Sequence, residues 1–247
     1  LETKLNVKRI AVPKLDPAFL GELLDAEDFG SLSFSEAQVI ALTAIRTCYS
    51  HLKPSEIAMS EGVKYFGTPS QDDPSQSDAT RLFLQIVRSG HTSTLEHLQF
   101  TFSVEGLSRA ALAQLTRHRH QSFSVQSQRY VKFGSDDRSG GFDYIIPEKV
   151  ANNPEALEYF ERFMDITQAY YDTLRAVGIP AEDARSVLPQ ASACNLTLSA
   201  NLRSLLDFYS KRKKGRGAQG EIANLAETLR ALVVEVEPWT DKFFEEA

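Results

Sequence analysis

"RHRHQSFSVQSQRY", residues 117–130, is the stretch on which the reading of this chain turns. Its first four positions alternate arginine and histidine, and serines, glutamines, Arg129 and Tyr130 follow at once. The 247-residue chain carries a net charge of -6, so this is a local store of positive charge on an acidic background. Guanidinium forks and hydroxyls are the groups that hold phosphate oxygens. A general nucleic-acid binder needs a net basic face, which the overall charge argues against. The stretch therefore points to a small anionic ligand. The plain alternative is a solvated basic turn that binds nothing.

Upstream, "LSRAALAQLTRH" (107–118) reads as a helix, with Gln114, Arg117 and His118 at i, i+3 and i+4 on one face. Past His120 the segment "QSFSVQS" has poor helix formers. The chain is expected to unwind there, leaving backbone N–H groups and the hydroxyls of Ser122, Ser124 and Ser127 for phosphate. Before the helix, "LQFTFSV" (98–104) alternates at period two, with Leu98, Phe100, Phe102 and Val104 on one face, and predicts a strand. "SEAQVIALTAIRTCYSH" (35–51) predicts a helix capped by Ser35. "DATRLFLQIVRSG" (78–90) predicts another, capped by Asp78 and stopped by Gly90. Between them, 66–78 reads as a mobile loop. Further helices are expected over 154–177, 201–214 and 221–235. No repeat or linker divides the chain. The expectation is one mixed α/β domain over 1–247, helix-rich around a modest sheet.

Hydrophobic content of 42% and charged content of 24% are those of a globular protein. The two cysteines, Cys48 and Cys194, have no CxxC spacing and call for no disulfide scaffold, so a reduced cytoplasmic setting is expected. No apolar run approaches the ~20 residues that span a bilayer, and no membrane partner is expected. The chain begins without methionine or an apolar leader, which leaves the true N-terminus open.

Three chemical readings fall away. "GRGAQG" (215–220) satisfies GxGxxG but follows a polar helix end, not a buried strand. His91, His97, His118 and His120 with Glu96 lack HExxH or finger spacing, so no metal is expected. Cys48 on an apolar helix reads as core, neither cysteine has an adjacent histidine to activate it, and Ser127 lacks an evident base.

Arg117-His118-Arg119, seven residues and then Ser127 resembles the signature of the flavin-dependent thymidylate synthases. "GHTSTLEH" (90–97), "ARSVLP" (184–189), "NLRSLLDF" (201–208) and "AQGE" (218–221) are similar to further motifs of that family, in its order. The resemblance implies a largely antiparallel sheet and a reductive methylation of dUMP to dTMP. FAD would be the cofactor, and NADPH and 5,10-methylenetetrahydrofolate the co-substrates. It implies that Gln114, Arg117, Ser127, Gln128, Arg129 and Arg185 hold the nucleotide. His91, Ser93, Arg117, His118, Arg119, Asn201, Arg203 and Asp207 would hold FAD. Arg212 would favour ionisation of the pyrimidine N3–H. It also implies a homotetramer with shared active sites, small-molecule partners only, and no nucleic acid.

The chain departs from the family pattern in three places. Ser124-Val125 stands where a polar pair such as Asn-Glu is common, and Asp207 where Asn is common. After Arg212 a longer glycine-rich run replaces the usual short stretch with histidine. These leave UMP open as an alternative substrate, and a non-catalytic flavin- or nucleotide-binding role as a second alternative. "KRKK" (211–214) reads equally as a solvated helix end or, Arg212 apart, as an attractor for phosphates or a folate tail.

Overall fold

The structure is a computed structural model, and it describes every residue except Glu27, Asp72, Asp73 and Ser75. In chain order it runs β1 (Asn6–Ala11), α1 (Pro17–Asp25), α2 (Glu36–Thr47), α3 (Pro54–Gly67) and α4 (Asp78–Arg88). Then come β2 (Gln99–Ser108), α5 (Arg109–Leu115), β3 (Gln121–Val125), α6 (Glu148–Ala151) and α7 (Pro154–Ala176). The chain ends with α8 (Ala181–Ala184), β4 (Ala193–Asn201), α9 (Leu202–Arg212), α10 (Gly220–Val236) and α11 (Asp241–Glu246). The strands form one antiparallel four-stranded sheet in the order β1-β2-β4-β3. The expected helix-rich fold around a modest antiparallel sheet is what the structure has.

By its internal contacts the chain forms two compact units. The first comprises Leu1–Lys8, Phe102–Leu198 and Arg212–Ala226; the second comprises Arg9–Thr101, Ser199–Lys211 and Glu227–Ala247.

In the first unit Phe102, Val104, Leu107, Leu112, Leu115, Leu198, Ile222 and Leu225 are buried. Period-two alternation sends alternate residues of β2 and β4 to this core. A second cluster gathers Phe133, Phe142, Met164, Tyr171 and Ala184, and the Tyr171 hydroxyl accepts the Phe133 N–H at 3.2 Å. Gly106 in β2 has a φ of 67°, and a Cβ there would run into the Lys4 carbonyl oxygen. Only glycine fits both demands.

In the second unit α2 packs on α3 and α4. Ser35 caps α2 in a reciprocal box. Its Oγ accepts the Gln38 N–H at 3.1 Å, and Gln38 Oε1 accepts the Ser35 N–H at 2.8 Å. Leu98 and Phe100 are buried, as the alternation predicts. Gly90 follows the end of α4 with a φ of 76°, the left-handed conformation expected of a helix stop.

Six expectations are corrected. The helix predicted from 107 begins at Arg109, because β2 runs on to Ser108, whose Oγ caps α5 by accepting the Ala111 N–H at 3.0 Å. The same helix stops at Leu115, so Arg117 and His118 lie beyond it and share no helical face with Gln114. The segment after His120 is not unwound. The alternation of Gln121, Phe123 and Val125 with Ser122 and Ser124 makes it the edge strand β3, and the pairing with β4 continues at Gln126, whose N–H bonds to the Asn195 carbonyl at 2.8 Å. Asp78 is the first residue of α4 rather than its cap, and its carboxylate bonds Arg81. Cys48 is exposed, not core, because α2 ends at Thr47 before its apolar face reaches that position. In the predicted loop 66–78, α3 extends to Gly67, and Pro69 bridges Ser77. The mobility expected around Asp72, Asp73 and Ser75 lies outside the described residues. No helix among the described residues is long and apolar enough to cross a membrane.

Candidate functional site

In the first unit Gln114 projects from the last turn of α5, and its Nε2 donates to Gln219 Oε1 at 2.5 Å. The turn after it is closed by short backbone bonds, Arg117 N to the Gln114 carbonyl at 3.3 Å and His118 N to the Leu115 carbonyl at 3.0 Å. This tight exit turns the Arg-His-Arg run away from the helix axis. Arg117 and Arg119 are exposed, and no ion pair engages either among the described residues. His118 is half-buried, and Arg212 at the end of α9 donates from Nε to its Nε2 at 3.1 Å. That bond fixes the imidazole: Nε2 must carry the lone pair, so a neutral ring holds its proton on Nδ1.

Beyond β3, Ser127 Oγ accepts the Arg129 N–H at 3.2 Å, forming a local turn, and Gln128 is buried. Arg129 Nε bonds Glu182 Oε2 at 3.0 Å, and Arg185 Nε bonds the Glu182 carbonyl at 2.9 Å. Two predicted nucleotide contacts thus meet at one residue that the sequence reading did not single out. Both partners of the Arg129–Glu182 pair are about half exposed, so the pair is weak and readily exchanged for an incoming phosphate. The guanidinium of Arg129 also lies 5.5 Å from the ring centre of Tyr130, which is 79% exposed.

In the second unit His91 ends the turn after α4, and its Nδ1 lies 2.8 Å from the Tyr49 hydroxyl. The two rings meet edge to face at 5.8 Å. Ser93 is exposed and lines a cavity of about 660 Å³ with Leu15, Phe19, Ile40, Cys48 and His97. Asn201 Oδ1 accepts the Ser204 N–H at 2.9 Å, which starts α9. Arg203 bonds Glu96 at 2.5 Å with both side chains about half exposed, and Asp207 bonds Lys211 at 2.9 Å. Asp207 is thereby offset by a neighbouring cation one helical turn away.

The residues present suit a flavin dinucleotide. In the first unit the exposed guanidinium groups of Arg117 and Arg119 match a pyrophosphate; in the second, taken by itself, His91 and Ser93 offer hydrogen bonds beside an apolar cavity. "GRGAQG" lies after the end of α9, with Gly215 and Gly217 at φ of 83° and 77°, and follows no strand. No cluster of three or more metal-ligating side chains occurs among the described residues.

Sequence reasoning missed Tyr49, Glu182, Gln219 and Glu221. Tyr49 lies within 35–51 and Glu182 just before 184–189, but nothing in their spacing announces a partner. Gln219 and Glu221 belong to "AQGE" (218–221), whose residue types alone imply no partner.

Comparison with known proteins concerns the chain as a whole. The model of the family described as "Thymidylate synthase complementing protein" (Thy1) matches residues 32–239. A flavin-dependent thymidylate synthase of Geobacter sulfurreducens is 39% identical over 199 residues, covering 81% of this chain and 78% of that protein. One of Nitratidesulfovibrio vulgaris is 44% identical over 161 residues, covering 62% and 63%. Among solved structures, the UMP/dUMP methylase PolB of Streptomyces cacaoi, bound with 5-Br dUMP, superposes with a TM-score of 0.71. That match is at 20% identity and covers 99% of this chain and 96% of that one. At that identity the likeness speaks for the fold.

Proposed function

This chain belongs to the flavin-dependent thymidylate synthase (Thy1) family, and from that premise we propose that it methylates C5 of dUMP to give dTMP. The carbon donor is 5,10-methylenetetrahydrofolate. Bound FAD, reduced by NADPH, supplies the hydride. Arg117, His118, Arg119, His91, Ser93, Asn201, Arg203 and Asp207 hold the flavin. Gln114, Arg117, Ser127, Gln128, Arg129 and Arg185 hold the nucleotide, with Arg129 exchanging Glu182 for the phosphate.

The observation that carries the reading is the seating of Arg212. Its Nε donates to His118 Nε2 at 3.1 Å, which holds the guanidinium beside the Arg-His-Arg run. A guanidinium is a permanent cation in a protein and stabilises the anion that forms as the pyrimidine N3–H ionises. C5 becomes electron-rich, bonds the one-carbon unit and loses its hydrogen as a proton; the bond from that carbon to the folate nitrogen breaks, tetrahydrofolate leaves, and the hydride completes the methyl group. No protein nucleophile is needed. Cys194 is buried, its thiol donates to the Leu107 carbonyl at 3.1 Å, and burial pushes its pKa up to about 11.

UMP is the second reading, favoured by Val125. This half-buried apolar side chain stands in β3 where family members commonly have a polar one, which removes one polar contact near the ligand. A non-catalytic role is opposed by the joint presence of Arg212, Arg185, Arg129 and His91. The enzyme is read as one functional domain over 1–247, acting as a cytoplasmic homotetramer with shared sites. The span of the family match across both compact units supports the first point, and the family resemblance the second. The test is dTMP formation from dUMP by the purified chain, with FAD, NADPH and the folate each omitted in turn. Loss of product on each omission is expected; product without the folate would remove the proposal.

A further inference from the structure

Residues 218–221, "AQGE", were noticed in the sequence and have no part in the chemistry above. In the structure they lie against the element that carries Gln114. Glu221, in the first turn of α10, takes two hydrogen bonds from Ser108, from its N–H at 2.7 Å and from its Oγ at 2.6 Å. Ser108 is 3% exposed and is the cap of α5. One carboxylate therefore ties the start of α10 to the start of α5. Two residues before it, Gln219 accepts the Gln114 Nε2 donation at 2.5 Å, at the other end of α5. The four residues thus bracket the helix, one contact at its cap and one at its last turn.

We propose that Gln219 is a positioning residue that sets the sense of the Gln114 amide for nucleotide recognition. An amide side chain offers an acceptor at one end and donors at the other, and rotation by 180° exchanges them. A carbonyl oxygen placed against Nε2 favours one rotamer for as long as the Gln219 amide keeps that sense. With Nε2 engaged by Gln219, Gln114 retains Oε1 as the acceptor for a ligand. The matching chemistry on the nucleotide is a hydrogen-bond donor, such as a sugar hydroxyl or the uracil N3–H. The Glu221–Ser108 anchor makes this selection rigid, because it holds the backbone on both sides of the contact. Without Gln219 the amide is free to flip, and half of its orientations present a donor to a donor.

This inference rests on the nucleotide-binding role given to Gln114. The experiment is a double-mutant cycle read as the Kd for dUMP on the FAD-loaded protein, using Gln114→Met, Gln219→Met and the double variant. Gln219→Met removes the acceptor at similar size. It is expected to weaken dUMP binding about twofold, because an amide free to flip holds the competent sense about half of the time. FAD content and unfolding midpoint should be unchanged, since Gln219 is exposed. In the Gln114→Met background the second change should have no further effect, because it acts through the residue already removed. Gln219→Glu, which keeps an acceptor, should restore most of the affinity lost in Gln219→Met. Additive losses in the double variant, or an unchanged Kd in Gln219→Met, would overturn the proposal while leaving the thymidylate synthase reading intact. A wild-type protein that binds no dUMP, or a Gln114→Met variant that binds it normally, would instead overturn the site on which both depend.

Discussion

Arg212 and Arg117 show how the same residue type does different work at two depths. Arg212 is half-buried and held through Nε to His118, so its direction is set before any ligand arrives. Arg117 is exposed and takes its direction from what it binds. Arg212→Ala should therefore leave nucleotide affinity largely intact and lower turnover by about 10² to 10³, the scale of losing one preorganised donor to a developing anion. Steady-state kinetics beside dUMP titration would show it, and unchanged turnover would remove the catalytic assignment. Arg117→Ala should instead purify colourless, because in the proposed site it would lose a phosphate anchor of the flavin. A yellow protein with wild-type flavin affinity would mean that Arg117 is not a principal cofactor contact. At this scale the sequence announced residue types well and their partners poorly. Glu182, which gathers Arg129 and Arg185, is 53 residues from the first and could not be paired with it from spacing alone.

Elements were legible where one period ran long enough to be read. The strict alternation of Leu98 to Val104 gave β2, and the helices α2, α7, α9 and α10 came close to their expected bounds. The site lies where short elements meet. α5 has seven residues and β3 five, and each was misjudged because its neighbour's pattern was carried across the junction. In β3 the serines of QSFSV disguised an alternation that Phe123 and Val125 do express. Junctions are also where buried charge accumulates. Glu237, just past α10, is 5% exposed, with Ser35 and Trp239 donating to its Oε2 at 2.5 and 2.6 Å. Burial raises its pKa, and those two donors only partly oppose the rise. A carboxyl raised in the folded state contributes stability below its unfolded pKa of ~4.3 and loses that contribution as pH rises through the folded value. Glu237→Gln, which keeps an acceptor without the charge, should therefore raise the unfolding midpoint at neutral pH. The gain should shrink as pH falls through the raised folded value and vanish below about 4.3. A variant destabilised equally at every pH would show that the hydrogen bonds to the charged form outweigh its burial.

At the scale of the whole molecule the chain carries a basic run on an acidic body, and family membership gives that contrast its meaning. Sites shared between subunits follow from the family reading, since Asn201 and Arg203 would serve a neighbour's flavin. Light scattering should give a tetrameric mass, and a monomer with full activity would end the shared-site picture. The substrate was the least legible feature, because a sugar hydroxyl is distinguished by one or two contacts and the chain differs from the family pattern at Val125. The measurement that reaches the centre of the matter is tritium release from [5-³H]dUMP beside [5-³H]UMP, each with FAD, NADPH and methylenetetrahydrofolate. Release from dUMP in clear excess over UMP is the expected result. Release from neither by a protein with flavin bound would contradict the chemistry, and equal or greater release from UMP would contradict the substrate.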